Sequence, residues 1–178
     1  VQLNMCPAQR LDEIKKGYDL ILTDRVNIRE KAKEIAEKLK EKIPVFYATD
    51  AYEGFAIRVR QQFNENSKRL SWAGAIPEMN HNELVGWGGG DSRFGVVFFD
   101  TGDMIPKNRK RLEISVERVK IKTDTVVVLE AKGNSKIEKT IYLNNVMDWT
   151  SWYHADLNGT DSVEIEIIDY LKNSLAKS

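Results

Sequence analysis

Cysteine is almost missing from this chain of 178 residues: Cys6 stands alone, and there are two histidines. No disulfide framework can form from one thiol, and a zinc site falls short of its usual ligands. An excess of positive charge is also missing, since Lys and Arg total 27 against 27 Asp and Glu. No basic cluster is interleaved with aromatics, which removes both the counterion-release and the stacking contributions to nucleic-acid binding. No apolar run approaches the ~20 residues of a membrane helix. The opening Val1-Gln2-Leu3-Asn4-Met5-Cys6-Pro7 lacks a basic region followed by an apolar one. These absences predict a cytoplasmic protein with no metal or other cofactor, no nucleic-acid partner and no membrane. What is present is 42% apolar and 30% charged residues, enough for one well-buried core beneath an ordinary solvated surface.

The apolar residues are arranged in two periods. Asn27-Ile28-Arg29-Glu30 reads as a capping box, after which Ile28, Ala32, Ile35, Ala36 and Leu39 recur at helical spacing. The runs Ile43 to Ala48, Phe94 to Phe99 and Thr125 to Leu129 are β-branched or aromatic and too short for helices, as buried parallel strands are. Helical patterns lie between and after them, at about Tyr52 to Asn64, Asn80 to Trp87, Lys107 to Lys122, Ile137 to Leu157 and Val163 to Ala176. Strand alternating with helix predicts an α/β fold with a parallel sheet covered on both faces. The glycines of Gly86 to Gly95 follow a helical segment and are not trailed by Lys-Ser/Thr. They read as a flexible turn, not a phosphate cradle.

The chemistry concentrates between Phe63 and Glu83. Glu65 lies between Asn64 and Asn66, sixteen positions ahead of His81, which Asn80 and Asn82 flank. A carboxylate and an imidazole are the groups that move protons on a sugar, and neighbouring amides can hold such groups in place or fix an imidazole tautomer. Glu78 and Glu83 are rival bases that position alone does not exclude. His154, inside the aromatic run Trp149-Thr150-Ser151-Trp152-Tyr153-His154 of a helical pattern, reads as structural. Lys172 occupies the polar side of the last amphipathic segment, as a surface cation would.

Three segments, Phe63-Asn64-Glu65-Asn66-Ser67-Lys68, Pro77-Glu78-Met79-Asn80-His81-Asn82-Glu83-Leu84-Val85-Gly86-Trp87, and Asp148 to Tyr153 through Ile168 to Lys172, resemble the carboxy-terminal half of the bifunctional phosphoglucose/phosphomannose isomerases. Those belong to the sugar isomerase (SIS) superfamily. The resemblance implies a three-layer αβα sandwich around a mostly parallel sheet of about five strands. It places residues 1–18 as a leading linker and 19–178 as the second SIS domain, and it implies a first SIS domain upstream and a homodimer. It further implies that Glu65 carries a proton between C1 and C2 of a sugar phosphate, that His81 opens the ring at a site reached across subunits, and that Lys172 assists at the ring. The isomerase domain of glucosamine-6-phosphate synthase shares the Glu to His separation, which selects Glu65 over Glu78 and Glu83. Asn64, Asn80 and Asn82 are the expected substrate contacts. A free carboxylate near ~4.3 is a weak base, so such a site must desolvate it or offer a cation to the enediolate.

The sequence departs from the family at the phosphate. The family's Ser/Thr-rich phosphate loop and its enediolate-facing arginine belong to the first SIS domain. Here the first strand leads into Thr49-Asp50-Ala51-Tyr52-Glu53, with two acids where a helix start would otherwise attract an anion. The expectation is half of an aldose–ketose isomerase acting on glucose or mannose 6-phosphate. The alternative is a non-catalytic sugar-phosphate-binding or dimerisation module.

Overall fold

The computed structural model describes residues 7–177, so Cys6 lies outside the described residues. Helix α1 (Gln9–Thr23) passes through Asp24 into α2 (Arg25–Leu39), and β1 (Ile43–Thr49) follows. A 3-10 turn at Asp50–Tyr52 leads into α3 (Glu53–Asn66), then β2 (Trp72–Ile76) and the single turn α4 (Glu83–Gly86). The chain continues through β3 (Phe94–Asp100), α5 (Pro106–Lys120), β4 (Val126–Glu130), α6 (Lys136–Leu157) and α7 (Glu166–Leu175).

The sheet is parallel, with strand order β2-β1-β3-β4. Four strands replace the five or so that the family resemblance implies, because after β4 the described chain is spent on helices α6 and α7. Strand alternation divides the core in two. Phe46, Ala48, Val97 and Phe99 face α2, α3 and α6, whereas Val45, Tyr47, Val96 and Phe98 face α5 and the segment around Met79 and Trp87. Burial on both faces is why β1 and β3 read as unbroken apolar runs; Val96, Val97, Phe98 and Phe99 are each 0% exposed. Removing one such side chain from water contributes ~1.5–3 kcal/mol. The three-layer sandwich is therefore present.

Two local readings change. The Asn27 capping box does not form: α2 already begins at Arg25, and the Asn27 amide instead donates to Asp24 Oδ1 at 2.6 Å. Helix α1 packs along α6, where Gly17 permits close approach. The helix expected from Asn80 to Trp87 breaks into 3-10 turns at Glu78–Asn80 and Trp87–Gly89 on either side of α4, since Gly86 and Gly88 to Gly90 give poor helical support. Among the described residues no helix is long and apolar enough to cross a membrane.

Candidate active site

Glu65 occupies the last turn of α3, two residues beyond Phe63, which is 0% exposed in the core. Two residues correspond to ~200° around a helix, so burial of Phe63 turns Glu65 outward, and it is exposed. Its neighbours fasten the helix end. Asn64 Oδ1 accepts from the Ser71 amide at 3.1 Å and the Ser71 hydroxyl at 3.0 Å. Asn66 Nδ2 donates to Ser151 Oγ at 2.8 Å, and Ser67 Oγ donates to the Ser151 carbonyl at 2.8 Å, both on α6. Lys68, in the left-handed region at φ 48°, donates from Nζ to the Glu65 carbonyl at 2.8 Å. The backbone of Glu65 is held, while its carboxylate makes no hydrogen bond or ion pair among the described residues.

His81 follows β2 and the Glu78–Asn80 turn. Fully buried Met79 anchors that turn, and Asn80 Nδ2 donates to Ser115 Oγ of α5 at 2.7 Å. Asn82 is the N-cap of α4, its Oδ1 accepting from the Glu83 amide at 2.6 Å. His81 itself is exposed and its ring makes no hydrogen bond. The rival carboxylates are occupied. Glu83 Oε2 accepts from Tyr47 Oη at 2.8 Å, and that phenol accepts from Trp87 Nε1 at 3.1 Å. Burial, with the Glu83 carboxylate beside it, pushes the Tyr47 phenol up and keeps it a donor. Glu78 Oε1 accepts from Asn82 Nδ2 at 3.4 Å. Of the three acids, Glu65 alone is without a partner among the described residues.

One chain does not bring the predicted residues together. Glu65 belongs to α3, which covers one face of the sheet, and His81 to the segment that covers the other; edge strand β2 stands between. No hydrogen bond or ion pair joins them. Lys172 sits on α7, a helix with no buried residue, and pairs with no acid. Asn64, Asn80 and Asn82 each spend part of their hydrogen-bonding capacity inside the domain, while the Asn80 carbonyl oxygen is buried without a partner.

At the carboxyl ends of β1 and β3 lies a polar group that sequence reading did not single out. Asp103 accepts from Tyr52 Oη at 2.7 Å and Thr101 Oγ1 at 2.6 Å, and Lys139 Nζ approaches it at 3.1 Å. Burial works against its charge, yet these donors outweigh it and hold the carboxyl below the ordinary range. Arg109 pairs with Asp100 nearby. Tyr52 lies 51 positions before Asp103 and Lys139 lies 36 after it, so no local motif announces the group.

The sequence profile of the bacterial phospho-glucose isomerase C-terminal SIS domain matches residues 28–175. A bifunctional phosphoglucose/phosphomannose isomerase of Aquifex aeolicus is 33% identical over 169 residues, covering 93% of this chain and 52% of its own length. The chain spans about half the length of the curated relatives it matches. A glucose-6-phosphate isomerase like protein of Thermus thermophilus superposes with a TM-score of 0.65 at 24% identity, over 80% of this chain and 46% of that one. The C-terminal domain of glucosamine-fructose-6-phosphate aminotransferase from Francisella tularensis gives 0.69 at 17% identity, over 88% and 46%. At these identities the two structures speak to the fold.

Proposed function

Because the chain belongs to the bacterial phospho-glucose isomerase C-terminal SIS domain family, we propose that it forms half of a cytoplasmic aldose–ketose isomerase interconverting glucose 6-phosphate and mannose 6-phosphate with fructose 6-phosphate. An upstream SIS domain supplies the phosphate site, and a second copy of the chain completes the reaction centre. The observation that carries this reading is the pairing of an unpartnered carboxylate on a fastened helix end with an exposed imidazole on the opposite side of an edge strand. A second copy of the chain would bring two such groups to one site.

In this reading His81 of one subunit moves a proton between the anomeric hydroxyl and the ring oxygen, which breaks the C1–O5 bond. Glu65 of the other takes the proton from C2 of the open aldose. The electron pair forms the C1–C2 double bond of an enediolate with its charge on the C1 oxygen, and the proton of the C2 hydroxyl passes to that oxygen. Glu65 then returns its proton to C1 while the C2 oxygen, now carrying the charge, becomes the ketone carbonyl. One base serves both transfers, and no external oxidant or reductant is consumed. Lys172 offers positive charge at the ring. The planar intermediate erases the configuration at C2, so either epimer can enter.

The full-length protein that carries this chain tests the proposal by fructose 6-phosphate formation from each aldose. Glu65→Gln is expected to lower kcat by ~10² to 10⁴, the usual loss for a proton-transfer group; retention within about tenfold removes Glu65 from the role. Asp50 and Glu53, at the start of α3 where an anion would be held, favour a second reading as a non-catalytic binding or dimerisation module. Saturable sugar-phosphate binding without turnover would select it.

A further inference from the structure

Strand β2 is an edge strand, and its register with β1 sets Trp72, Gly74 and Ile76 beside Val45, Tyr47 and Thr49, on the sheet face that carries Met79 and Trp87. Phe94, at the start of β3, is in register with Ile43 and packs on the same side. Where this face reaches Trp72 and Phe94, its cover is α4 and the Trp87–Gly89 turn, and Gly86, Gly89 and Gly90 bring no side chains to fill the space. A cavity of about 280 Å³ is left, with Val45, Tyr47, Trp72 and Phe94 as its floor and Glu83 and Trp87 in its roof. That is just under the ~300–1,000 Å³ usual for ligand sites, which suits a small molecule. It lies on the face opposite α3 and Glu65, toward the amino ends of the strands, whereas the Asp103 group lies at their carboxyl ends.

Four aromatic rings and one charge set its chemistry. Glu83 is the one charged side chain that lines it. Glu83 Oε2 accepts from Tyr47 Oη at 2.8 Å, and Tyr47 in turn accepts from Trp87 Nε1 at 3.1 Å, so neither the phenol nor that indole has a donor left. Oε1 lies over Gly74, where a Cβ would be 2.6 Å away, and takes part in no hydrogen bond or ion pair among the described residues. A partly buried carboxylate oxygen without a donor favours a ligand that brings one, and a cationic donor gains most. The walls favour the same sign. Trp87 and Phe94 meet edge to face with centroids 5.5 Å apart, and Trp72 stands 52% exposed on the edge strand. Aromatic faces attract cations and stack on flat apolar bodies. An anion would meet only the like charge of Glu83. The roof is held in place, because Lys122 Nζ donates to the Gly88 carbonyl at 2.8 Å and Gly90 packs on the Trp87 ring with no room for a Cβ.

We propose that this cavity is a binding site for a small arylalkyl ammonium, its N–H donated to Glu83 Oε1 and its ring set against Trp72 and Trp87. Neither Glu65 nor His81 lines it, and it does not depend on the isomerase reading.

Isothermal titration calorimetry of the full-length protein with phenethylammonium tests it against phenethyl alcohol, which keeps the ring without the charge, and ethylammonium, which keeps the charge without the ring. Saturable binding of phenethylammonium is expected, with each of the other probes weaker by ~10-fold or more. Glu83→Gln keeps an oxygen for the Tyr47 hydroxyl but removes the charge, and should weaken binding by ~10-fold or more. Trp72→Ala, at an exposed position that does not threaten the core, should weaken it by ~3-fold or more. Glu65→Gln should bind as the native protein does. No saturable binding overturns the proposal, as does equal affinity for phenethyl alcohol or native affinity in either cavity variant. Loss of binding in Glu65→Gln overturns it too, because the ligand would then occupy the isomerase centre.

Discussion

His154 is enclosed in α6 at 0% exposure, its Nε2 3.1 Å from the Leu39 carbonyl and its ring 5.3 Å from that of Phe63. A carbonyl can only accept, so Nε2 carries the hydrogen, and the enclosed Nδ1 has no partner. Burial lowers the pKa below the ordinary 6.5, against the smaller raising effect of the Leu39 bond, and the ring stays neutral. Below about pH 6.5 the unfolded chain then binds a proton that the folded one refuses, so stability falls with falling pH there and is level above it. Urea unfolding between pH 5 and 8 should show that slope in the native protein and lose it in His154→Gln, which should also be less stable throughout by ~1–3 kcal/mol. An unchanged slope would assign it to other groups. The structural role read for His154 from its aromatic setting agrees with this placement. The asparagines beside Glu65 and His81 were legible as neighbours of the chemistry. Their bonds to Ser71, Ser151 and Ser115 were not, because those partners are brought in by packing.

Among the elements, α1 makes its tightest approach to α6 at Gly17. A Cβ at Gly17 would lie 2.7 Å from Ile141 Cδ1 and 3.4 Å from the Glu138 Cα, so the helix rests on α6 only because residue 17 has no side chain. Gly17→Val should cost ~1–3 kcal/mol through overpacking. Hydrogen exchange should show amides of 9–23 losing protection while β1 and β3 keep theirs, and unchanged protection of α1 would refute this dependence. The hydrophobic period made α2, α5 and α6 readable, since each buries one stripe. Strand β2 was not readable: Trp72-Ala73-Gly74-Ala75-Ile76 has one β-branched residue, and its extended form comes from pairing Val45↔Trp72 through Thr49↔Ile76 with β1. Gly74 admits the Tyr47 ring and the Glu83 carboxylate, where a Cβ would sit 2.9 Å and 2.6 Å away.

For the whole molecule, the proposed centre takes Glu65 from one subunit and His81 from another, and that division can be measured. Glu65→Gln and His81→Ala should each inactivate the full-length enzyme. After the two proteins are mixed and re-associated, half the dimers are mixed, and each mixed dimer of two-fold symmetry has one centre with both groups intact. Activity should therefore return to about a quarter of native. No recovery, once mixed dimers are demonstrated, would place both groups within one subunit. Helix α7 bears on the same scale. Ile167 is 82% exposed, Tyr170 76% and Leu171 52%, on a helix with no buried residue, as suits an element whose packing surface lies on another domain or subunit.

The order of apolar and polar residues by itself determined the layered α/β class, helices α2, α3, α5, α6 and α7, and the two motifs that tie this chain to a sugar isomerase family, because periodicity and short-range spacing are properties of the chain in line. Only the tertiary structure decided the four-strand count, the presence of β2, the capture of Glu83 by Tyr47 and Trp87, the separation of Glu65 from His81 by an edge strand, and the polar group at the carboxyl ends of β1 and β3. Each of these depends on groups distant along the chain that meet when the sheet forms. Their energies, a hydrogen bond or a buried ring at a time, exist only once that meeting has taken place.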